Sequence, residues 1–256
     1  MTPAGEQGEQ TVPEAAIWQD VEFGAYTADL PLWEELANAS KGGLLELGAG
    51  SGRVALHLAR AGVPVTALEA DHALAEELDR RARAEELPVL VAPADIVALD
   101  QAWPQASASI SAAIAPLHII QQLDPADRPR LLARLAERLP AGTPVAAVLV
   151  DESSLLDSGL EADQVPDMRD IGGWVYSSEP LWVQVDAGAL RIRRLRTRIA
   201  PDGEVERTVR DELLHRLRPE ALEDEARDAG LAPAGRRAIA SGPSEADSIA
   251  VLLEAP

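Results

Sequence analysis

The stretch Leu44-Leu45-Glu46-Leu47-Gly48-Ala49-Gly50-Ser51-Gly52-Arg53-Val54 constrains this chain more than any other. An apolar run, a turn with glycines at every second position and the start of a helix follow one another directly. A strand that feeds a helix through such a turn lets a ligand approach the backbone and meet the free N–H groups of the first helical turn. Roughly twenty residues later a second apolar run (Val63, Val65, Ala67, Leu68) ends on Glu69. An acidic side chain at that strand end is placed to grip the two hydroxyls of a ribose. The two features together indicate a nucleoside-containing cofactor.

The dinucleotide fingerprint G-x-G-x-x-G puts its third glycine where this chain has Arg53. Glu46 would also lie close to a pyrophosphate and repel it, whereas a cationic ligand suits it. S-adenosylmethionine carries a sulfonium, an α-ammonium and no phosphate. The segment resembles the first motif of the class I S-adenosylmethionine-dependent methyltransferases, E/D-x-G-x-G-x-G, through Glu46, Gly48, Gly50 and Gly52. The alternatives are a strand-turn-helix whose glycines serve only packing, and a nicotinamide-binding turn.

Composition narrows the partners. The formal net charge of −20, from 23 basic and 43 acidic residues, repels nucleic-acid phosphates and anionic membranes. Without cysteine there are no disulfides, no thiol catalysis and no cysteine-held metal. No histidine pair has metal-ligand spacing, so no metal site is expected. Lys41, the single lysine, sits in a loop beside glycines and is discounted for Schiff-base chemistry. No apolar run spans a bilayer, and the N-terminus has no basic-then-apolar leader. The expected address is the cytoplasm.

Strand and helix patterns alternate from 44 to 150 and predict a parallel sheet covered on both faces. Strands are expected at 44–47, 63–68, 89–91, 109–115 and 145–150. Helices are expected at 53–60, from Asp71 to about 87, and from Pro129 to 139. Residues 13–39 read as helical. Residues 152–173 read as polar and turn-rich, followed by strands at 181–185, 190–199 and 205–217 joined by hairpin turns. A helix at 219–229 and strands at 231–239 and 248–253 close the chain. This gives a flexible tail (1–12), a helical lid (13–43), a cofactor core (44–155), an antiparallel insertion or substrate cap (156–218) and a closing helix with strands (219–256). Arg191, Arg193, Arg194, Arg196 and Arg198 crowd one insertion strand. A solvated ion-pair face and a face for an anionic substrate both fit them.

The resemblance implies a doubly wound α/β fold with a mainly parallel seven-stranded, Rossmann-like sheet and an antiparallel insertion after strand five. It implies that Glu46, Gly48, Ala49, Gly50 and Gly52 hold the methionine part of the cofactor. Glu69 with Ala70 takes the ribose, Asp95 with Ile96 takes the adenine, and Ala115 lies beside the donated methyl. Tyr26 sits in a lid segment that related enzymes bring to the methionine end, where packing serves Tyr26 and Trp33 equally well. The segment Ala115-Pro116-Leu117-His118 lacks the Asn/Asp-Pro-Pro-Tyr pattern of nucleic-acid and glutamine methyltransferases. It is more similar to small-molecule enzymes of bacterial secondary metabolism. His118 is the candidate general base, since an imidazole titrates near neutrality; a packed or substrate-positioning role is the alternative. His57 and His72 belong to helix surfaces, and His215 is a minor candidate for the pocket wall. The implied activity is methyl transfer to an oxygen or nitrogen of a small molecule, with a homodimer as a possible assembly. The rivals are a cofactor-binding protein or cyclase that transfers no methyl, and a nicotinamide oxidoreductase.

Overall fold

The computed structural model of the chain describes residues 12–40, 42–99, 103, 110–152, 165–240 and 246–256. Lys41, nearly all of the tail (1–11) and much of the polar segment after 152 lie outside the described residues.

Strand β1 (Gly43–Leu47) is central to a seven-stranded sheet. Its parallel neighbours are β2 (Val65–Glu69) and β4 (Ile110–Ala115). β3 (Val89–Pro93) extends the sheet beyond β2, and β5 (Pro144–Val150) extends it beyond β4, both parallel. β11 (Ser248–Glu254) runs antiparallel to β5, and β10 (Ala232–Ile239) antiparallel to β11 at the edge. The observed order β10-β11-β5-β4-β1-β2-β3 is the mainly parallel seven-stranded fold that the resemblance implied.

Both faces of this sheet are covered, which is why its central strands are nearly all apolar. Leu45 and Leu47 of β1 face a cluster that includes Leu131 and Leu135 of α5 (Arg128–Arg138) and Leu222 of α6 (Pro219–Asp228). Leu44 faces the other cluster, with Trp33 of α2 (Leu30–Ala39), Leu58 of α3 (Arg53–Arg60) and Leu78 of α4 (His72–Ala84). Each such side chain, once buried, stabilises by about 1.5–3 kcal/mol. The Asp71 side chain caps α4 by accepting from the Ala73 and Leu74 amides at 2.8 and 3.2 Å.

A second, four-stranded antiparallel sheet has the order β6-β7-β8-β9. Its strands are β6 (Asp167–Ile171), β7 (Trp174–Val185), β8 (Ala189–Ile199) and β9 (Val205–His215). The sequence reading placed the first of these strands at 181 and took 165–173 as turn-rich. Two facts correct it. Gly172 and Gly173, at φ of +62° and +82°, turn β6 into β7 between the paired residues Ile171 and Trp174. The pairing register shifts between Pro180 and Trp182, so the period-two pattern breaks in mid-strand. Helix α1 (Glu14–Phe23) joins the two sheets. Its Trp18 meets Tyr176 of β7 edge-on, ring centroids 5.4 Å apart.

Candidate active site

β1 delivers the chain into a loop whose conformation only glycine accepts easily. Gly48, Gly50 and Gly52 have φ of +69°, +57° and +99°. A Cβ on Gly52 would stand 2.3 Å from Leu78 Cδ1, and one on Gly50 the same distance from Gln19 Oε1. Glu69, at the end of β2, ties this loop to the next one. Its Oε2 accepts from the Gly50 amide at 2.7 Å and its Oε1 from the Asp71 amide at 2.8 Å. Charge-assisted bonds of this kind hold backbone in place before any ligand arrives.

Helix α1 clamps the loop from outside. The Ser51 amide donates to Gln19 Oε1 at 2.7 Å, and the Ser51 hydroxyl to Asp20 Oδ1 at 3.1 Å. Asp20 in turn pairs with Arg81 at 2.7 Å, which also holds Glu77. Arg53 makes a two-pronged pair with the fully buried Asp29 (2.7 and 2.6 Å), donates to the Tyr26 carbonyl at 3.0 Å and lies over the Tyr26 ring. Trp33 Nε1 donates to the same Asp29 at 2.9 Å, so Trp33 serves the core.

A cavity of about 370 Å³ opens between the loop, α1, the turn after β4 and the second sheet, a size suited to a small-molecule site. Glu46, Gly48, Ala49 and Gly50, the residues expected at the methionine end, line it together with Glu69. Glu46 is 2% exposed, and its Oε2 has no hydrogen-bond partner among the described residues. Burial pushes its carboxyl up to about 8, against the pull of Arg53 and a hydrogen bond from the Ala55 amide. A buried carboxylate oxygen without a partner is costly unless a cation or donor meets it. An α-ammonium supplies both, so these residues fit an adenosyl amino acid and not a pyrophosphate.

The remaining wall is made by Pro116, Leu117, Ile119 and Gln122 after β4, and by Arg194, Arg196, Arg210 and Glu212 of the second sheet. Leu117 and His118 have φ of +47° and +60°, a conformation that costs roughly 1–2 kcal/mol per non-glycine residue. Such strain gathers where a turn is fixed by its surroundings.

Several expected residues stand elsewhere. His118 does not line the cavity, although its neighbours do. Its Nε2 lies 3.1 Å from Ser248 Oγ on β11, and burial pulls its pKa down to about 4. An imidazole so placed is neutral and already engaged, which withdraws the argument that it titrates near neutrality. Asp95 is exposed and caps the following turn by accepting from the Val97 amide at 2.9 Å. Ile96 is packed in the core under β1 and β2. Ala115 is buried, Ala70 exposed and Tyr26 half-buried against Arg53; none of the three lines the cavity, and neither does His215. Gly52 also stays behind the lining, against Leu78. His57 pairs with Glu34 at 2.7 Å and His72 is exposed.

The five arginines of β8 resolve into ion pairs. Arg191 meets Asp186, Arg193 meets Asp211 and Arg198 meets Glu206. Arg194 and Arg196 face inward instead and share Glu22 of α1, Arg194 also holding Asp167. Gln19, Asp20, Glu22 and Glu212 were missed by the sequence reading. The one local signal was polar Gln19, Asp20 and Glu22 standing among buried Trp18 and Val21. Among the described residues no three acidic or histidine side chains gather as a metal site, and no helix is long and apolar enough to cross a membrane.

Comparison with known proteins bears on the fold and on the domain family. Residues 44–142 match the methyltransferase domain family. No curated protein sequence matches the chain. Among solved structures, the CcbJ methyltransferase from Streptomyces caelestis is 18% identical with a TM-score of 0.65, over 90% of this chain and 97% of that one. The sugar N-methyltransferase KedS8 from a Streptoalloteichus species is 15% identical with a TM-score of 0.67, over 98% and 97%. CalS10, an amino pentose methyltransferase from Micromonospora echinaspora with S-adenosylmethionine bound, is 14% identical with a TM-score of 0.68, over 92% and 96%. At these identities the likeness is one of fold.

Proposed function

We propose that this chain, whose residues 44–142 match the methyltransferase domain family, is a class I S-adenosylmethionine-dependent methyltransferase and methylates a nitrogen atom of a small molecule. The observation that carries the reading is the Glu46 carboxylate, buried in the cavity with Oε2 unpartnered. Glu46 and the backbone of Gly48 to Gly50 hold the amino-acid end of the cofactor. Glu69, already fixed by two backbone amides, offers its remaining lone pairs to the ribose. Asp95, exposed beyond β3, receives the adenine amino group, with Ile96 packed beneath it. When bound, the cofactor supplies a sulfonium methyl carbon open to a lone pair. The protein's part is to align an acceptor with that carbon and to exclude water.

A nitrogen acceptor is favoured over oxygen by the far wall of the cavity. Glu212 lies there without an ion pair, which suits a basic group, while Glu22 is taken up by Arg196 and Arg194; an amine, once neutral, attacks with its own lone pair. The activities of KedS8 and CalS10, one acting on a sugar nitrogen and the other on an amino pentose, support the same reading and a place in bacterial secondary metabolism. The second sheet and α1 close the site as cap and lid.

Titration calorimetry of the wild type with S-adenosylmethionine and S-adenosylhomocysteine, followed by mass spectrometry of candidate acceptors, tests the proposal. The expected result is cofactor binding and the gain of one methylene by amines. Preference for a nicotinamide dinucleotide over both adenosyl ligands would overturn it.

A further inference from the structure

The proposed acceptor wall contains one carboxylate that the protein leaves without a cation. Glu212 lies on β9 opposite Ile192 of β8. Its neighbour two residues on, Leu214, is buried at 1% exposure, so this face of β9 turns inward. Glu212 lines the cavity and is itself half-buried. Its one hydrogen bond is a long contact, 3.5 Å from Gln122 Nε2, and no ion pair to it occurs among the described residues.

Two of the three cations near it are committed elsewhere. Arg196 makes a two-pronged pair with Glu22 at 2.8 and 2.7 Å. Arg194 is shared between Glu22, Asp167 and the Ser178 hydroxyl. Arg210 lies on Glu212's own strand and is exposed. Burial raises the Glu212 carboxyl above the ordinary range, the Glu22 charge on α1 adds to this, and Arg194, Arg210 and Arg196 oppose it. Glu46, by contrast, lies in the glycine-loop part of the lining. The cavity thus holds three carboxylates without ion pairs, Glu46 and Glu69 on the seven-stranded sheet and Glu212 on the other; Glu69 has both oxygens bound by amides, which leaves one open carboxylate on each sheet. Glu46 suits the cofactor's ammonium and leaves Glu212 for another cation.

We propose that Glu212 is the group that recognises the acceptor: its carboxylate binds the amine nitrogen of the substrate and takes the proton that nitrogen loses before methylation. The proposal rests on the methyltransferase reading above and adds the residue that selects nitrogen. In the step it serves, the bound ammonium first passes one N–H proton to a Glu212 oxygen, which frees the nitrogen lone pair. That pair forms the new N–C bond while the C–S bond breaks with its electron pair passing to sulfur; the methylated nitrogen keeps one positive charge and the proton on Glu212 leaves to solvent, so charge and atoms balance. A hydroxyl acceptor brings no positive charge to Glu212 and gains less from it.

The test uses the whole chain with glutamate labelled by carbon-13 at the carboxyl, Glu212 being assigned by difference from Glu212→Gln. Binding of S-adenosylhomocysteine is measured first on the same sample. The Glu212 signal is then titrated with pH in the saturated protein, alone, with 2-amino-2-deoxyglucose and with glucose. The amine should lower the midpoint by about one pH unit, as a cation beside a carboxylate does, and glucose should leave it unmoved. Glu212→Gln should keep S-adenosylhomocysteine affinity within about twofold and lose the amine-over-hydroxyl preference, about tenfold in the wild type; Glu212→Asp should recover part of it. Equal midpoints with both sugars, in protein that binds S-adenosylhomocysteine, overturn the assignment of Glu212 alone. A Glu212→Gln protein that loses S-adenosylhomocysteine affinity as well assigns the residue to the fold instead. Absence of S-adenosylhomocysteine binding in the wild type overturns the reading beneath it.

Discussion

Glu46 and Glu69 are two carboxylates at the ends of adjacent strands, and their surroundings give them different work. Glu69 has both oxygens bound by amides and shapes the loop. Glu46 has one oxygen left over in a dry site and is pushed up to about 8. Because the folded value lies above the unfolded one, Glu46 favours folding fully below pH 4–5, and this contribution is lost as pH rises toward 8. The stability of the ligand-free protein should therefore gain a downward slope between about pH 4.5 and 8 from this residue, and Glu46→Gln should remove that slope in denaturant titrations run across the range. A cationic ligand reverses the preference of the carboxyl. Binding of S-adenosylmethionine should release close to one proton near pH 7, and affinity should rise by at most about tenfold per pH unit up to pH 8. Calorimetry in buffers of different ionisation enthalpy reads the proton directly; equal observed heats in every buffer, with no pH slope, would remove Glu46 from the site. Glu69→Ala should weaken S-adenosylmethionine binding by about 1–3 kcal/mol, through lost charge-assisted bonds and a loosened loop; equal affinities by calorimetry would reject the role. Both acids were legible in the sequence, Glu46 because it stands two residues before the first glycine of the turn and Glu69 because it ends an apolar run. Glu212 was not, since a strand reading Glu206, Arg207, Arg210, Asp211, Glu212 shows only scattered charge until its inward face is known.

At the scale of elements, the strand-turn-helix of 43–60 was legible to the residue at its helix, Arg53–Arg60. Spacing of glycines, apolar periodicity and the stop at Gly62 all agree there, and agreement between local signals is what makes a segment readable. The first strands of the second sheet were not legible, since the glycine pair at 172–173 and the register shift near Leu181 cut β7 into pieces too short to show alternation. The clamp of α1 on the loop was hidden for another reason: its bonds join residues 31 and 32 positions apart, and no local pattern encodes such a pair. The turn allows a direct test of its packing. Gly52→Ala places a methyl 2.3 Å from Leu78 Cδ1 at a φ of +99°. The left-handed conformation costs about 1–2 kcal/mol and overpacking a buried leucine about 1–3 more. At roughly 2–4 °C per kcal/mol for a domain of this size, the melting temperature should fall by roughly 5–15 °C. An unchanged melting curve would mean that the loop is not packed against α4 as described.

At the scale of the molecule, the two sheets meet through an apolar cluster of Val150, Leu190 and Leu214 and through α1, whose link to the second sheet is partly electrostatic. A chain with 43 acidic and 23 basic residues has carboxylates to spare, so an arginine drawn inside it finds a partner easily. The shared partner here is Glu22, whose side chain is 5% exposed and binds Arg196, Arg194 and the Ser178 hydroxyl together. It is the point where α1, which holds the glycine loop through Gln19 and Asp20, also holds the wall that carries Glu212. Removing one member of a buried ion network leaves the others uncompensated, and for a pair whose arginines keep some water the cost falls at the lower end of the range, about 3 kcal/mol. Glu22→Ala should therefore act unevenly. Arg194 keeps Asp167 and the seven-stranded sheet keeps its own core, so the loss should be local to the junction. Hydrogen exchange should quicken in α1 and in the β7–β8 pair while amides of β1, β4 and β5 stay protected. The cavity, built from both sides of that junction, should lose acceptor binding more than cofactor binding. Equal acceleration in both sheets would show that Glu22 supports the whole fold, and no acceleration would show that Trp18 against Tyr176 is enough to hold the cap without it.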